Sequence, residues 1–250
     1  MPRLDASGDM ESQPITGTNF SFQATRIGDL GATEYTLVTI AVDTTWSVSA
    51  FADDLRKMLV TAVEGCRRSP RSNNLLIRVV EFSTAVGGVR EIHGFRLLAD
   101  IDPADYAAFK PNGMTPLFDA THNSLGAMFD YGQTLAENDF LANGIVYIIT
   151  DGGDNASKAT PSMIRRQLEQ ARNDEVLESV VTVLVGINDA KLRDYLDQFR
   201  REAGLDHYVE VGNATPGRLA KLGGFVSQSV SSQSQALGTG GPSQAISATI

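Results

Sequence analysis

One cysteine, Cys66, occurs in 250 residues. A disulfide framework, an iron–sulfur cluster and a cysteine-rich zinc site within this chain are therefore excluded. Histidine is almost as scarce, with His93, His122 and His207 scattered along the sequence. No Ser/His/Asp relay can be assembled from them, and each reads as structural. Basic residues are outnumbered, 21 Lys+Arg against 30 Asp+Glu, for a net charge of -9. That average repels a phosphate backbone, and no basic run overrides it locally, so no nucleic-acid partner is expected. No apolar run approaches the ~20 residues that a membrane-spanning helix needs, so no membrane partner is expected either. The opening stretch, MPRLDASGDMESQPITG, lacks the apolar core of a secretory leader. The expectation is a soluble cytoplasmic protein.

The remainder is rich enough in apolar residues, 42% of the chain, to build one sizeable core. Residues 1–18 show no periodicity and read as a flexible N-terminal arm. Residues 19–230 read as a single domain, and 231–250, dominated by Ser, Gln, Gly and Ala, as a disordered C-terminal tail. Within the domain, Asn19–Ala24 alternates like a short strand on the domain edge. Tyr35–Val42 (YTLVTIAV) is apolar on both faces, as a central parallel strand should be. Leu55, Met58, Leu59, Ala62, Val63 and Cys66 then form one helical stripe. Further strands are expected at 75–82, 92–98, 145–150, 180–186 and 208–211. Helices are expected at 115–131 and around Leu168, Leu196 and Leu222. This alternation predicts an α/β fold: a doubly wound, mostly parallel six-stranded sheet with one antiparallel edge strand (92–98) and helices on both faces. Ligands of such sheets bind at the carboxyl ends of the strands, where strand order reverses.

Three segments fall at those ends, and all carry hard oxygen groups. They are Asp43-Thr44-Thr45-Trp46-Ser47, Asn112-Gly113-Met114-Thr115-Pro116 and Thr150-Asp151-Gly152-Gly153-Asp154. Two carboxylates and three hydroxyls converging on one crevice suit a small divalent cation. Mg²⁺, or Mn²⁺, fits better than zinc or copper because no imidazole or thiolate is near. Each segment also has a plainer reading. Thr115-Pro116 is a good helix start, Ser47 can cap the following helix, and Asp151-Gly152 can be an ordinary turn. Trp46, the only tryptophan, reads either as a core residue or as an exposed anchor for a partner.

Taken together, these motifs resemble the von Willebrand factor type A domain, the fold also used by integrin inserted domains. That family builds a metal-ion-dependent adhesion site from D-x-S-x-S after the first strand, a Thr in a G-x-T loop and an Asp in a T-D-G turn. The resemblance places Asp43, Thr45 and Ser47 in the first motif, Thr115 in the second and Asp151 in the third. It implies a non-enzymatic, protein-binding module whose bound metal accepts an Asp or Glu carboxylate from a partner. Two positions depart from the pattern: Thr45 replaces the usual serine, and Trp46 stands where glycine is frequent.

A Mg²⁺-dependent phosphatase-like hydrolase is the alternative, since such enzymes also place an Asp after the first strand. Their second, proton-donating Asp has Thr45 in its place here, and Lys158 is no clear counterpart of their phosphate-binding lysine. A scaffold with a non-functional metal site is a third reading.

Overall fold

The computed structural model describes residues 10–188 and 192–239. Eight strands form one sheet: β1 (Met10–Pro14), β2 (Ser21–Thr25), β3 (Glu34–Asp43), β4 (Leu75–Ser83), β5 (Gly88–Leu97), β6 (Leu141–Thr150), β7 (Val180–Gly186) and β8 (His207–Glu210). The spatial order is β1-β2-β5-β4-β3-β6-β7-β8. β4, β3, β6, β7 and β8 run parallel, while β5 is antiparallel to β4 and β1 antiparallel to β2. Among the described residues, five α-helices cover the two faces: α1 (Ala52–Arg67), α2 (Leu117–Ala136), α3 (Pro161–Asn173), α4 (Arg193–Ala203) and α5 (Pro216–Gly238).

The two-faced burial of the central strands explains their continuous apolar runs. Val38, Ile40 and Val42 of β3 face Leu55, Leu59 and Val63 of α1 and Leu222 and Val226 of α5. On the other face, Leu37 and Ala41 share a core with Leu125 and Met128 of α2, Ile164 of α3 and Phe199 of α4. From β3 the chain adds β4 on one side and later β6 on the other, so the strand order reverses between β3 and β6. In doubly wound sheets such a reversal, at the carboxyl ends of the strands, is where ligands bind.

The sheet has eight strands rather than the six expected, and the 92–98 segment is not its edge. β2 lies outside β5, joined to it at Ala24 and Phe95, and β1 lies outside β2. β1 (MESQP) is legible in no apolar pattern because its residues are mostly exposed or half-buried and its place is fixed by backbone pairing at an edge. The 1–18 arm is thus structured over its described part. Ile15 is buried in the core, and the Thr16 amide and hydroxyl both donate to the Asp130 carboxylate of α2 at 2.8 Å. Ile15→Ala should cost about 2–4 kcal/mol in urea unfolding; a loss under 0.5 kcal/mol would return this segment to a dispensable arm.

The expected disordered tail is helical up to Gly238. Its Ser- and Gln-rich sequence hides the helix because the buried groups are polar. Asn143 Nδ2 donates to the Gln233 carbonyl at 2.9 Å, and Ser69 and Ser231 share a hydrogen bond of 2.9 Å. Residues 1–9 and 240–250 lie outside the described residues. Cys66 is buried as expected in α1, where burial pushes its thiol up to about 12, well away from reactivity.

Candidate metal centre

β3 ends at Asp43, whose side chain is 1% exposed. Its Oδ1 accepts the Thr45 N–H at 2.8 Å, an Asx-type turn that bends the chain out of the sheet. Its Oδ2 accepts the Thr150 hydroxyl at 2.6 Å, which ties the end of β3 to the end of β6. The chain then forms a 3₁₀ turn over Trp46–Ala50 before α1. That turn buries Val48 and holds Trp46 outward at 74% exposure, so Trp46 is not a core residue. Ser47 is exposed at the rim, and Thr45 is buried beneath it.

The hydroxyls link the loops. Thr45 Oγ1 lies 3.0 Å from Ser47 Oγ, and Ser47 Oγ donates to Asp151 Oδ1 at 2.7 Å, across 104 residues of sequence. Burial pushes Asp43 up to about 6 and raises Asp151 above the usual carboxylate range, each opposed by the hydrogen bonds it receives. The groups bonded to these two carboxylates are hydroxyls and backbone N–H groups, with no lysine or arginine. Two neighbouring acids held this way are short of positive charge, and a divalent cation would supply it.

The second loop is pressed against the first. Asn112 N–H donates to the Thr44 carbonyl at 3.1 Å and Trp46 N–H to the Gly113 carbonyl at 3.4 Å. Gly113 has φ of +82°, and a β-carbon there would sit 2.6 Å from Thr84 Oγ1, so glycine is required on both counts. Thr115 follows, buried at 5% exposure. Its hydroxyl lies 3.6 Å from where a β-carbon would stand on Gly152, which brings the second loop against the third.

Thr115 is not the cap of α2. The helix starts one residue after Pro116 with no side-chain cap of its own. Its free N–H groups are satisfied from the third loop instead: Phe118 N–H by Asp154 Oδ1 at 3.2 Å and Asp119 N–H by Ser157 Oγ at 3.0 Å. Asp119 in turn accepts from Lys158 N–H at 3.0 Å and Ala159 N–H at 2.7 Å. Asn155 takes Thr115 N–H on its side chain at 2.7 Å and donates its own N–H to the Thr115 carbonyl at 3.0 Å. This lacing spends the backbone of Thr115 and leaves its hydroxyl without a hydrogen bond among the described residues. The supporting roles of Thr150, Asn155 and Ser157 went unread in the sequence, although a loop so rich in Asn, Asp and Ser is suited to caps of this kind.

All five expected oxygen ligands, Asp43, Thr45, Ser47, Thr115 and Asp151, thus lie on three loops joined by hydrogen bonds at the β3–β6 reversal. The donor set is oxygen only, which suits Mg²⁺ or Mn²⁺. His93 is remote from it, stacked on Tyr106 with ring centroids 5.7 Å apart.

No protein-family model and no curated protein matches the sequence. Solved structures do resemble the fold. The von Willebrand factor domain of the type V pili tip protein Mfa5 from Porphyromonas gingivalis matches with a TM-score of 0.50 and 9% identity, over 87% of this chain and 99% of that one. Proximal thread matrix protein 1 from the mussel byssus, in a structure with a zinc-occupied MIDAS motif, matches with a TM-score of 0.51 and 16% identity over 78% of this chain. The match covers 48% of the mussel protein, so this chain spans about half its length. The pilus adhesin SpaC from Lactobacillus rhamnosus GG matches with a TM-score of 0.56 and 10% identity, over 90% of this chain and 34% of that one. The neighbours are matrix, pilus and adhesion proteins, and what they share with this chain at such identities is architecture. This chain has a von Willebrand factor type A-like fold, with five oxygen-bearing side chains gathered at the strand-order reversal of its sheet.

Proposed function

We propose that this chain is a metal-dependent protein-binding module. Asp43, Thr45, Ser47, Thr115 and Asp151 hold one Mg²⁺ or Mn²⁺, directly or through water, and a carboxylate from a partner protein completes the coordination. The observation that carries this reading is the run from Thr45 through Ser47 to Asp151, with separations of 3.0 and 2.7 Å, which joins two loops distant in sequence through oxygen atoms alone. The Ser47 proton is directed at Asp151, so Thr45 donates to Ser47, and each hydroxyl oxygen keeps a lone pair for a cation. Three of the five ligands are neutral hydroxyls and both carboxylates are partly spent on hydrogen bonds, so the ion stays electrophilic toward an incoming carboxylate. Against an acidic chain, a bridging cation is also what makes an acidic partner group welcome.

The zinc-occupied MIDAS of the mussel protein supports a divalent site in this architecture. An oxygen-only donor set favours Mg²⁺ or Mn²⁺ in this chain. Calorimetric titration with Mn²⁺ tests the reading. One ion should bind per chain, and Asp151→Ala should weaken it by at least about 100-fold while far-ultraviolet circular dichroism stays unchanged. Full affinity in that variant would refute the assignment.

A further inference from the structure

Among the described residues, five large apolar side chains are exposed, and three of them surround this site. Trp46 is 74% exposed, Met114 54% and Tyr195 37%. The other two lie elsewhere, Leu141 at the amino end of β6 and Met163 on α3. A single exposed apolar residue needs no explanation, whereas three set around one polar crevice do.

Trp46 and Tyr195 are held by contacts with the loops that carry the proposed ligands, and Met114 by the turn after β4. Trp46 stands between Thr45 and Ser47, and its N–H bonds the carbonyl of Gly113, next to Met114. Met114 is pinned through both backbone groups: its N–H donates to Thr84 Oγ1 at 2.9 Å and its carbonyl accepts Thr84 N–H at 3.0 Å. Tyr195 reaches across from α4, where its hydroxyl accepts Asp154 N–H at 3.1 Å. A β-carbon on Gly153 would stand 2.9 Å from that ring, so glycine lets the aromatic face lie directly on the third loop. The exposed side chains thus project from fixed backbone, which limits the ordering cost of using them in an interface.

The charges of the same loops narrow the partner further. Residues 44–51, 112–116 and 152–160 contain one carboxylate, Asp154, and it is occupied by Phe118 N–H and Ser157. A basic residue beside the partner's carboxylate would find no free acid on these loops. An apolar residue would find indole, thioether and phenol.

Resting on the metal-site reading above, we propose that Trp46, Met114 and Tyr195 form an apolar collar that selects an acidic partner residue flanked by large apolar side chains. Trp and Tyr are the residue types that most often dominate such contacts, and Met adapts its shape to what it meets.

Two synthetic peptides separate the collar from the metal site: acetyl-Leu-Asp-Leu-amide and acetyl-Ser-Asp-Ser-amide. Both are titrated against the full, Mn²⁺-loaded chain, and binding is read from paramagnetic broadening of the peptide proton lines. The Leu peptide should bind at least tenfold more tightly than the Ser peptide. Trp46→Ala combined with Met114→Ala, both exposed positions, should bring the two affinities within twofold by loss of affinity for the Leu peptide. Equal affinities in the unaltered chain, or a preference that survives the double substitution, would overturn the collar and leave the metal site standing. Broadening of neither peptide while Mn²⁺ is bound would overturn both the carboxylate reading and the collar.

Discussion

Asp43→Asn should make the metal-free protein more stable and at the same time abolish its response to Mg²⁺. In the folded chain burial raises the Asp43 pKa from 3.8 to about 6. A carboxyl whose folded value lies above its unfolded value contributes stability at low pH and loses it as pH rises through that window. At pH 8 in EDTA the ionised Asp43 therefore costs the fold about 3 kcal/mol relative to acid conditions, at 1.36 kcal/mol per unit. Asparagine does not titrate. Its carbonyl can take the Thr45 N–H, and its amide can donate to Thr150 Oγ1, whose proton then turns from Asp43 to the Gly152 carbonyl 3.0 Å away. The variant should thus gain up to about 3 kcal/mol over the unaltered protein at pH 8, with the gap closing below pH 4. Added Mg²⁺ at 100 times its dissociation constant should stabilise the unaltered protein by about 2.7 kcal/mol and the variant not at all. Urea unfolding at two pH values with and without Mg²⁺ reads all four quantities. A variant that is weaker than the unaltered protein in EDTA at pH 8, or that still responds to Mg²⁺, would show that Asp43 is a structural acid. This trade is what a site kept for binding rather than stability should display.

The largest purely structural effect is expected at Arg78, which lies on β4 beneath α2 with 1% exposure. Its Nε donates to Glu91 Oε1 at 2.6 Å and its Nη2 to Asn123 Oδ1 at 3.0 Å. Glu91 also accepts Gln23 N–H at 3.0 Å, so one carboxylate both pairs the guanidinium and ties β2 to β5. Glu91→Ala leaves a buried cation without its counter-charge and removes a side-chain tie between β2 and β5. It should cost about 3–5 kcal/mol. Arg78→Ala should cost a similar amount. The double variant should lose clearly less than the sum of the two, because the pair acts as a unit. Calorimetric Mn²⁺ titration of each folded variant should be unchanged, since the pair lies away from the three loops. Additive losses would show that Arg78 and Glu91 act independently.

The central strands, the helical stripe of α1 and the three oxygen-bearing motifs were legible because each rests on a local pattern. Two-sided apolar runs, 3.6-residue spacing and polar strand ends are all visible without knowing the partners. What was hidden depends on groups remote in sequence. β1 has no apolar signature and exists through its pairing with β2. The end of α5 buries Ser234 and Gln233, whose types predict exposure. Thr115 looked like a helix cap because the sequence places it before Pro116. Only the fold brings Asp154 and Ser157 to take over the capping. Trp46 reads from sequence either as core or as an exposed anchor, and the outward 3₁₀ turn after β3 removes the core reading. The candidate ligands were therefore readable one by one, while the lacing that brings Thr115 against the Asp151 loop was not.

The most direct test of the central claim is an anomalous-scattering map from crystals grown with Mn²⁺. The account predicts one Mn²⁺ peak in the crevice between the ends of β3 and β6, bounded by Thr45, Ser47, Thr115 and the carboxylates of Asp43 and Asp151. A map with no Mn²⁺ peak in that crevice at a saturating concentration of the ion would contradict it.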